Sequence, residues 1–255
     1  VMGSTGTGKS TFIRLVTRDE RIKIGYSLES ETADVKTASF FEADGRAVTL
    51  IDTPGFDDSR DGVTDTDILK KISSFLQVEC EGRKLNGLIY MHRINDVRVG
   101  GVSRRNLRMF QKLCGSKTLQ NVVIVTTMWD TVTEELGAQR ERELMTKTFK
   151  PLLDEGAQMK RFNNGLTSAT EIISYILFHD PVVLQIQQEL AEGKQLAQTS
   201  AGEELNAEMK RLIEKHQRDM QALREEFEAT VKSHDAQAQK DLAEERQRMQ
   251  VEIQK

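Results

Sequence analysis

Gly3-Ser4-Thr5-Gly6-Thr7-Gly8-Lys9-Ser10, running into Thr11-Phe12-Ile13-Arg14-Leu15-Val16, is the stretch whose reading decides the fold. It meets every fixed position of G-x-x-x-x-G-K-[ST]. Each position has a physical task. Glycines let backbone N–H groups close around phosphate oxygens without Cβ clashes, Lys9 places a charge between the outer phosphates, and Ser10 offers a hydroxyl to Mg²⁺. A helix from Ser10 to Thr17 directs its N-terminal dipole at the same anion. Gly3, Ser4, Thr5, Gly6, Thr7, Gly8, Lys9, Ser10 and Thr11 are therefore the candidate phosphate-binding set. The alternative, a Gly/Ser/Thr-rich loop without a ligand, leaves the helix and the four fixed positions unexplained. Such a loop follows a buried strand of roughly five or six residues. Only Val1 and Met2 precede it here, so the chain reads as cut inside its first strand. A targeting segment upstream stays open.

Downstream, β-like runs alternate with helical ones. The expected strands are Thr37–Glu42, Ala47–Asp52, Leu85–His92, Val122–Thr127 and, more weakly, Met159–Phe162. The expected helices after the first are Asp65–Glu79, Ser103–Leu113, Thr133–Leu153 and Ala169–Phe178. Val122-Val123-Ile124-Val125 is the unbroken apolar run of a parallel strand buried on both faces. Asp44-Gly45 reads as a hairpin turn between the first two of these strands. The pattern predicts an α/β fold, a mostly parallel P-loop sheet with helices on both faces and a truncated first strand.

Composition sets the outer limits. The chain has 255 residues, 38% apolar and 30% charged, which fits one sizeable domain plus an additional segment. Residues 1–181 balance 25 basic against 25 acidic side chains, whereas 182–255 hold 11 against 15. The sequence thus divides into a compact domain over 1–181 and an acidic, Gln/Glu/Ala/Lys-rich tail over 182–255. Neither part is a basic surface, which argues against a nucleic-acid partner. No stretch approaches the ~18 apolar residues of a membrane span, which leaves only peripheral membrane contact open. Two cysteines, Cys80 and Cys114, are too few for a disulfide framework and suggest reduced thiols in the cytoplasm.

Leu50-Ile51-Asp52-Thr53-Pro54-Gly55 narrows the chemistry. An Asp at the end of an apolar strand can hold Mg²⁺ through water, and the N–H of Gly55 can sense a γ-phosphate. Together with Phe56, this D-T-P-G-F after G-x-x-x-x-G-K-S resembles the septin-like branch of P-loop GTPases: septins, immunity-associated AIG-type GTPases and the chloroplast-import Toc receptors. His92-Arg93-Ile94-Asn95-Asp96-Val97-Arg98 resembles their characteristic loop, and also that of many uncharacterised fungal G-domain proteins. The resemblance covers residues 1 to about 180. It implies GTP and GDP as ligands with Mg²⁺, held by Ser10, Asp52 and a switch threonine. It also implies pairing of two chains through their nucleotide faces, with Arg93, Arg98 and His92 as groups supplied in trans.

Base recognition in such families uses [NT]-K-x-D at a strand end, with the Asp accepting from guanine N1 and N2. The matching positions are Thr127-Met128-Trp129-Asp130, where Met128 replaces the lysine. A methionine can still lie flat on a purine. Asp130 favours guanine over adenine, and the same residue is compatible with a helix cap. Asn163-Asn164, directly after Phe162, resembles the second base loop of AIG-type proteins. Ser168-Ala169 is the alternative, imitating the S-A of Ras-like enzymes, and Thr167 or Ser168 also reads as an N-cap.

The switch threonine is sought between the first helix and the next strand, where Thr32 is the closest match and Ser30 the second. Lys9 and Thr32 are the candidate catalytic residues. Ras-type enzymes place a glutamine after the D-x-x-G glycine; here that position is Phe56, so intrinsic hydrolysis is expected to be slow. In the tail a stripe runs from Leu205 through Met209, Leu212, His216, Met220, Leu223, Phe227, Val231, His234, Ala238, Leu242, Glu245 and Met249 to Ile253. Its steps of four, three and four give 3.67 residues per turn, a straight helix or a slightly right-handed coiled coil. The function expected is a GTP-binding, slowly hydrolysing switch or assembly module. A non-hydrolysing GTP-dependent scaffold and an ATP-dependent P-loop enzyme are the alternatives.

Overall fold

The computed structural model describes residues 1–22, 32–42, 45–57, 63–79, 82–97, 100–207, 218, 220–221 and 224–225. In chain order the strands are β1 (Met2–Gly3), β2 (Lys36–Phe41), β3 (Ala47–Asp52), β4 (Leu88–Arg93), β5 (Val122–Thr127) and β6 (Gln158–Arg161). The helices are α1 (Lys9–Thr17), α2 (Asp65–Val78), α3 (Gly101–Cys114), α4 (Glu134–Glu143), α5 (Lys150–Asp154), α6 (Leu166–Leu177) and α7 (Gln185–Ala191). Strands β1, β4, β5 and β6 form a parallel sheet in that order, and β2 and β3 pair as an antiparallel hairpin. The hairpin turn closes with the Glu42 N–H donating to the Arg46 carbonyl at 2.9 Å, and Gly45 takes φ 83°. Asp44 lies outside the described residues.

Alternate residues of the central strands point into two different cores. Leu88 and Tyr90 of β4 and Val122 and Ile124 of β5 meet α2, α3 and the α5 segment. Ile89, Met91, Val123 and Val125 meet α1, α6 and the hairpin. This is the period-two geometry of a strand with both faces covered, and it explains why β5 is apolar at successive positions. Its residues are all buried.

Two expected elements are divided. The run Leu85–His92 begins its ladder only at Leu88, because Leu85 exchanges hydrogen bonds with Val182 instead (2.8 Å each way). The helix expected over Thr133–Leu153 breaks into α4, a π turn over Leu144–Thr148, and α5. Pro151 has no N–H to continue the helical pattern. The Phe149 N–H reaches back five residues to the Leu144 carbonyl at 2.8 Å, while its ring is buried.

Composition and packing change at different places in the chain. The first compact unit runs from Val1 to Asn206 and the second from Ala207 to Lys255. Leu184, Ile186, Ala201 and Leu205 lie in the same core as α2 and α3. Glu189 fixes this segment by accepting from the Ser200 N–H (2.9 Å) and hydroxyl (2.6 Å). A helix occupies 200–207 and is capped by Thr199, whose hydroxyl accepts from the Gly202 N–H at 3.1 Å. Most of the stripe from Met209 to Ile253 lies outside the described residues. Among the described residues no helix is long and apolar enough to cross a membrane.

Candidate functional site

The loop from Gly3 to Ser10 joins β1 to α1 at the carboxyl end of the parallel sheet. Gly3 has φ 142° and packs so closely on β4 that an added Cβ would overlap the Met91 carbonyl oxygen. Lys9 is buried, and its ammonium donates to the carbonyls of Gly3 (3.1 Å) and Ser4 (2.9 Å). The charge is thus held within the loop that the motif builds.

Ser10, Thr32 and Asp52 come together from three separate segments. The Ser10 hydroxyl donates to Asp52 Oδ2 at 2.8 Å and lies 3.2 Å from Thr32 Oγ1. Asp52 is buried, which pushes its carboxyl upward from the ordinary value, against the opposing Ser10 hydrogen bond and the Lys9 charge. Its Oδ1 is buried without a hydrogen-bond partner among the described residues. Two hydroxyls and a carboxylate with an unused oxygen are hard donors, the set that Mg²⁺ takes alongside water and phosphate. The residues therefore fit the ion. Ser30 lies outside the described residues.

The D-T-P-G-F segment is joined to the phosphate loop through its backbone. The Phe56 N–H donates to the Gly3 carbonyl at 3.2 Å, and the Thr5 N–H donates to the Phe56 carbonyl at 3.0 Å. A Cβ at Gly55 would stand 2.7 Å from Thr5 Cα, so only glycine fits there. The Phe56 side chain points away from this surface and is fully buried among the α2 and α3 residues. The next residue, Asp57, adopts φ 60° and donates its N–H to Asp65 Oδ1 at 2.9 Å. Asp65 is also ion-paired with Arg105 of α3.

At the end of β5, Thr127 is buried and its hydroxyl donates to the Thr7 carbonyl at 3.0 Å. It therefore supports the phosphate loop from behind. Asp130, Asn163 and Asn164 line one cavity of about 300 Å³ together with Trp129, Glu134 and Arg161. Ser168 closes the neighbouring loop by donating to the Gly165 carbonyl at 2.9 Å, and Ala169 is buried. The cavity thus contains the asparagine pair, not Ser168-Ala169. Glu134 and Arg161 were not legible as site residues: one opens a helix, the other ends a weak strand.

The segment after β4 separates its three basic residues. His92 is buried with its ring edge-to-face on Phe149 at 5.4 Å, and burial lowers its pKa. That position does not suit a group offered to another molecule. Arg93 is partly exposed and pairs with Asp96 at 3.0 Å, its Nη1 standing 3.3 Å from the position of a Cβ on Gly6. Arg98 lies outside the described residues.

Comparison with known proteins adds independent findings. The model of the AIG1 family matches residues 1–224. A protein called GTP-binding protein A from Dictyostelium discoideum is 28% identical over 132 residues, 52% of this chain and 28% of that protein. The chain therefore matches less than a third of that relative's length. Toc33 from Arabidopsis thaliana in complex with GDP and Mg²⁺ is similar in structure, with a TM-score of 0.55 and 16% identity, over 72% of this chain and 85% of that one. A structure of the chloroplast translocon components atToc33 and psToc159, for whose GTPase activity dimerization is important, also gives 0.55, at 17% identity over 69% and 79%. At such identities the likeness is one of fold.

Proposed function

The chain belongs to the AIG1 family, a family of P-loop GTPase domains, and from that premise we propose that it binds GTP and GDP with Mg²⁺, hydrolyses GTP slowly, and acts as a switch or assembly module. The observation that carries this reading is the meeting of Ser10, Thr32 and Asp52 beside the Lys9 loop. Gly3 to Thr11 cradle the phosphates with backbone N–H groups, and Lys9 exchanges loop carbonyls for phosphate oxygens. Ser10, Thr32 and Asp52 would hold Mg²⁺. The ion supplies charge neutralisation on the β- and γ-phosphates. Gly55 offers its N–H to the γ-phosphate, and Asp130, Asn163 and Asn164 hold the base.

Slow turnover follows from Phe56, which is buried where a water-orienting side chain would be needed. Multiple-turnover phosphate release from GTP tests the reading; its complete absence in the presence of tight GTP binding favours the non-hydrolysing scaffold. Asp130 argues against an ATP-dependent enzyme. Asp130→Asn is expected to weaken GTP and improve xanthosine triphosphate, because xanthine carries an acceptor where guanine has its amino donor. Competition titrations of GTP, XTP and ATP check this, and equal competition by ATP in the unmutated protein defeats the guanine assignment.

Arg93 beside Gly6 is the group best placed to reach a second chain, and dimerization in the Toc proteins supports a homodimer through the nucleotide face. We place the protein in the cytoplasm, with no nucleic-acid partner. Leu205, the first residue of the tail stripe, is taken up by the core, and the remainder from Met209 to Ile253 is a second self-association surface. Sedimentation of the full chain is expected to show dimer at high micromolar concentration. A monomer throughout a concentration series contradicts both surfaces.

A further inference from the structure

We propose that the guanine base is received on a two-layer platform of Arg161 backed by Trp129, in place of the lysine stem that Met128 has displaced. The proposal rests on the GTP reading above and assigns base affinity to residues that reading does not use. The guanidinium of Arg161 lies over the Trp129 ring, 4.0 Å from its centroid. Its orientation is fixed from both sides. Nε and Nη2 donate to the two oxygens of Glu141 at 2.9 and 2.5 Å, and Nη1 donates to Glu134 at 2.8 Å. A guanidinium held in this way presents a rigid plane, and such planes stack on aromatic rings where a lysine ammonium cannot.

Trp129 is fixed as firmly. Its Nε1–H donates to the Thr126 carbonyl at 3.1 Å. A Cβ at Gly137 would stand 2.6 Å from Trp129 Cζ3, so the ring occupies the space a side chain would need. Glu134, Gly137 and Glu141 are spaced three and four apart on α4 and share one face of it. One helix face therefore holds both layers: its carboxylates grip the arginine and its glycine receives the indole. Both residues line the cavity that contains Asp130, Asn163 and Asn164. A purine entering there meets a carboxylate and amides at its edges and the Arg161–Trp129 stack at its face. Arg161 also makes ion pairs that tie β6 to α4. The test must therefore separate a platform from a structural tether.

Trp129 is the sole tryptophan, so its emission reports this cavity without labelling. The full chain is titrated with GDP and, separately, with tripolyphosphate, following tryptophan emission and binding heat in parallel. The expected result is a change in emission with GDP and none with tripolyphosphate. Arg161→Ala and Arg161→Lys should both lower GDP affinity about tenfold while leaving tripolyphosphate binding unchanged. Full recovery in Arg161→Lys overturns the platform in favour of charge. GDP binding without any change in emission, at wild-type affinity in Arg161→Ala, overturns it while leaving the GTP reading intact. Absence of GTP and GDP binding by calorimetry overturns both. If Arg161→Ala does not fold, Gly137→Ala serves instead: it displaces the indole, and unchanged GDP affinity and emission in that variant overturn the proposal.

Discussion

Lys9→Ala lowers GTP affinity at least tenfold. The expectation follows from where the ammonium is held. It is buried within the phosphate loop and already satisfied by the Gly3 and Ser4 carbonyls, so little reorganisation separates this arrangement from one in which it faces two phosphates. Charge-assisted hydrogen bonds contribute about 1.5–3 kcal/mol each, and a tenfold change corresponds to about 1.4 kcal/mol. A single lost contact therefore accounts for the minimum effect. The same substitution removes one donor from each of the Gly3 and Ser4 carbonyls, which keep the Phe56 N–H and the Thr7 hydroxyl, so any accompanying fall in melting temperature is small. Titration with a fluorescent nucleotide, paired with a thermal melt, separates the two effects. Unchanged affinity in a folded variant removes the phosphate-loop assignment.

The parts of the site that were legible in sequence are those where one short segment does the work. The loop from Gly3 to Ser10 carries its own geometry, since its glycines and Lys9 act within eight residues. Asp52 could be found because an apolar strand delivers it, and the strand bounds Ala47–Asp52 and Val122–Thr127 coincide with β3 and β5. Parallel strands buried on both faces announce themselves by composition alone.

What was not legible depends on contacts between distant segments. The role of Thr127 as a prop under Thr7 spans 120 positions. Arg161 gains its orientation from Glu134 and Glu141, and no local pattern distinguishes these three from ordinary surface charges. The break in the helix after Glu143 had a visible cause in Pro151, but its form as a π turn depends on the burial of Phe149. Near residue 182 the charge balance shifts while the packing continues, because four apolar residues of the segment, Leu184, Ile186, Ala201 and Leu205, reach the core. Average composition does not register four well-placed side chains.

Phe56 carries the second large effect, and here the structure alters what the sequence implies. Position 56 follows the D-x-x-G glycine, where a glutamine would orient the attacking water in a Ras-type enzyme. Installing that glutamine, Phe56→Gln, is expected not to accelerate hydrolysis. The side chain at 56 is fully buried in the core that α2 and α3 line, so an amide there faces apolar side chains rather than a nucleotide. Removing a buried phenyl ring costs about 3–5 kcal/mol, and burying an amide without partners adds about 1–3 kcal/mol. Phe56→Leu, which keeps most of the apolar volume, should lose far less. The functional consequence runs through the backbone. Phe56 holds Gly55 against Thr5 through its hydrogen bonds with Gly3 and Thr5, and the ring is the anchor of that segment. Loosening it frees the N–H of Gly55, which is the group proposed to sense the γ-phosphate. The preference for GTP over GDP should therefore shrink in Phe56→Leu even where the fold survives. Denaturant unfolding, phosphate release and paired GTP and GDP titrations measure all three effects. Faster hydrolysis in Phe56→Gln at undiminished stability would mean that this side chain can swing out of the core, and the buried-anchor account would fail.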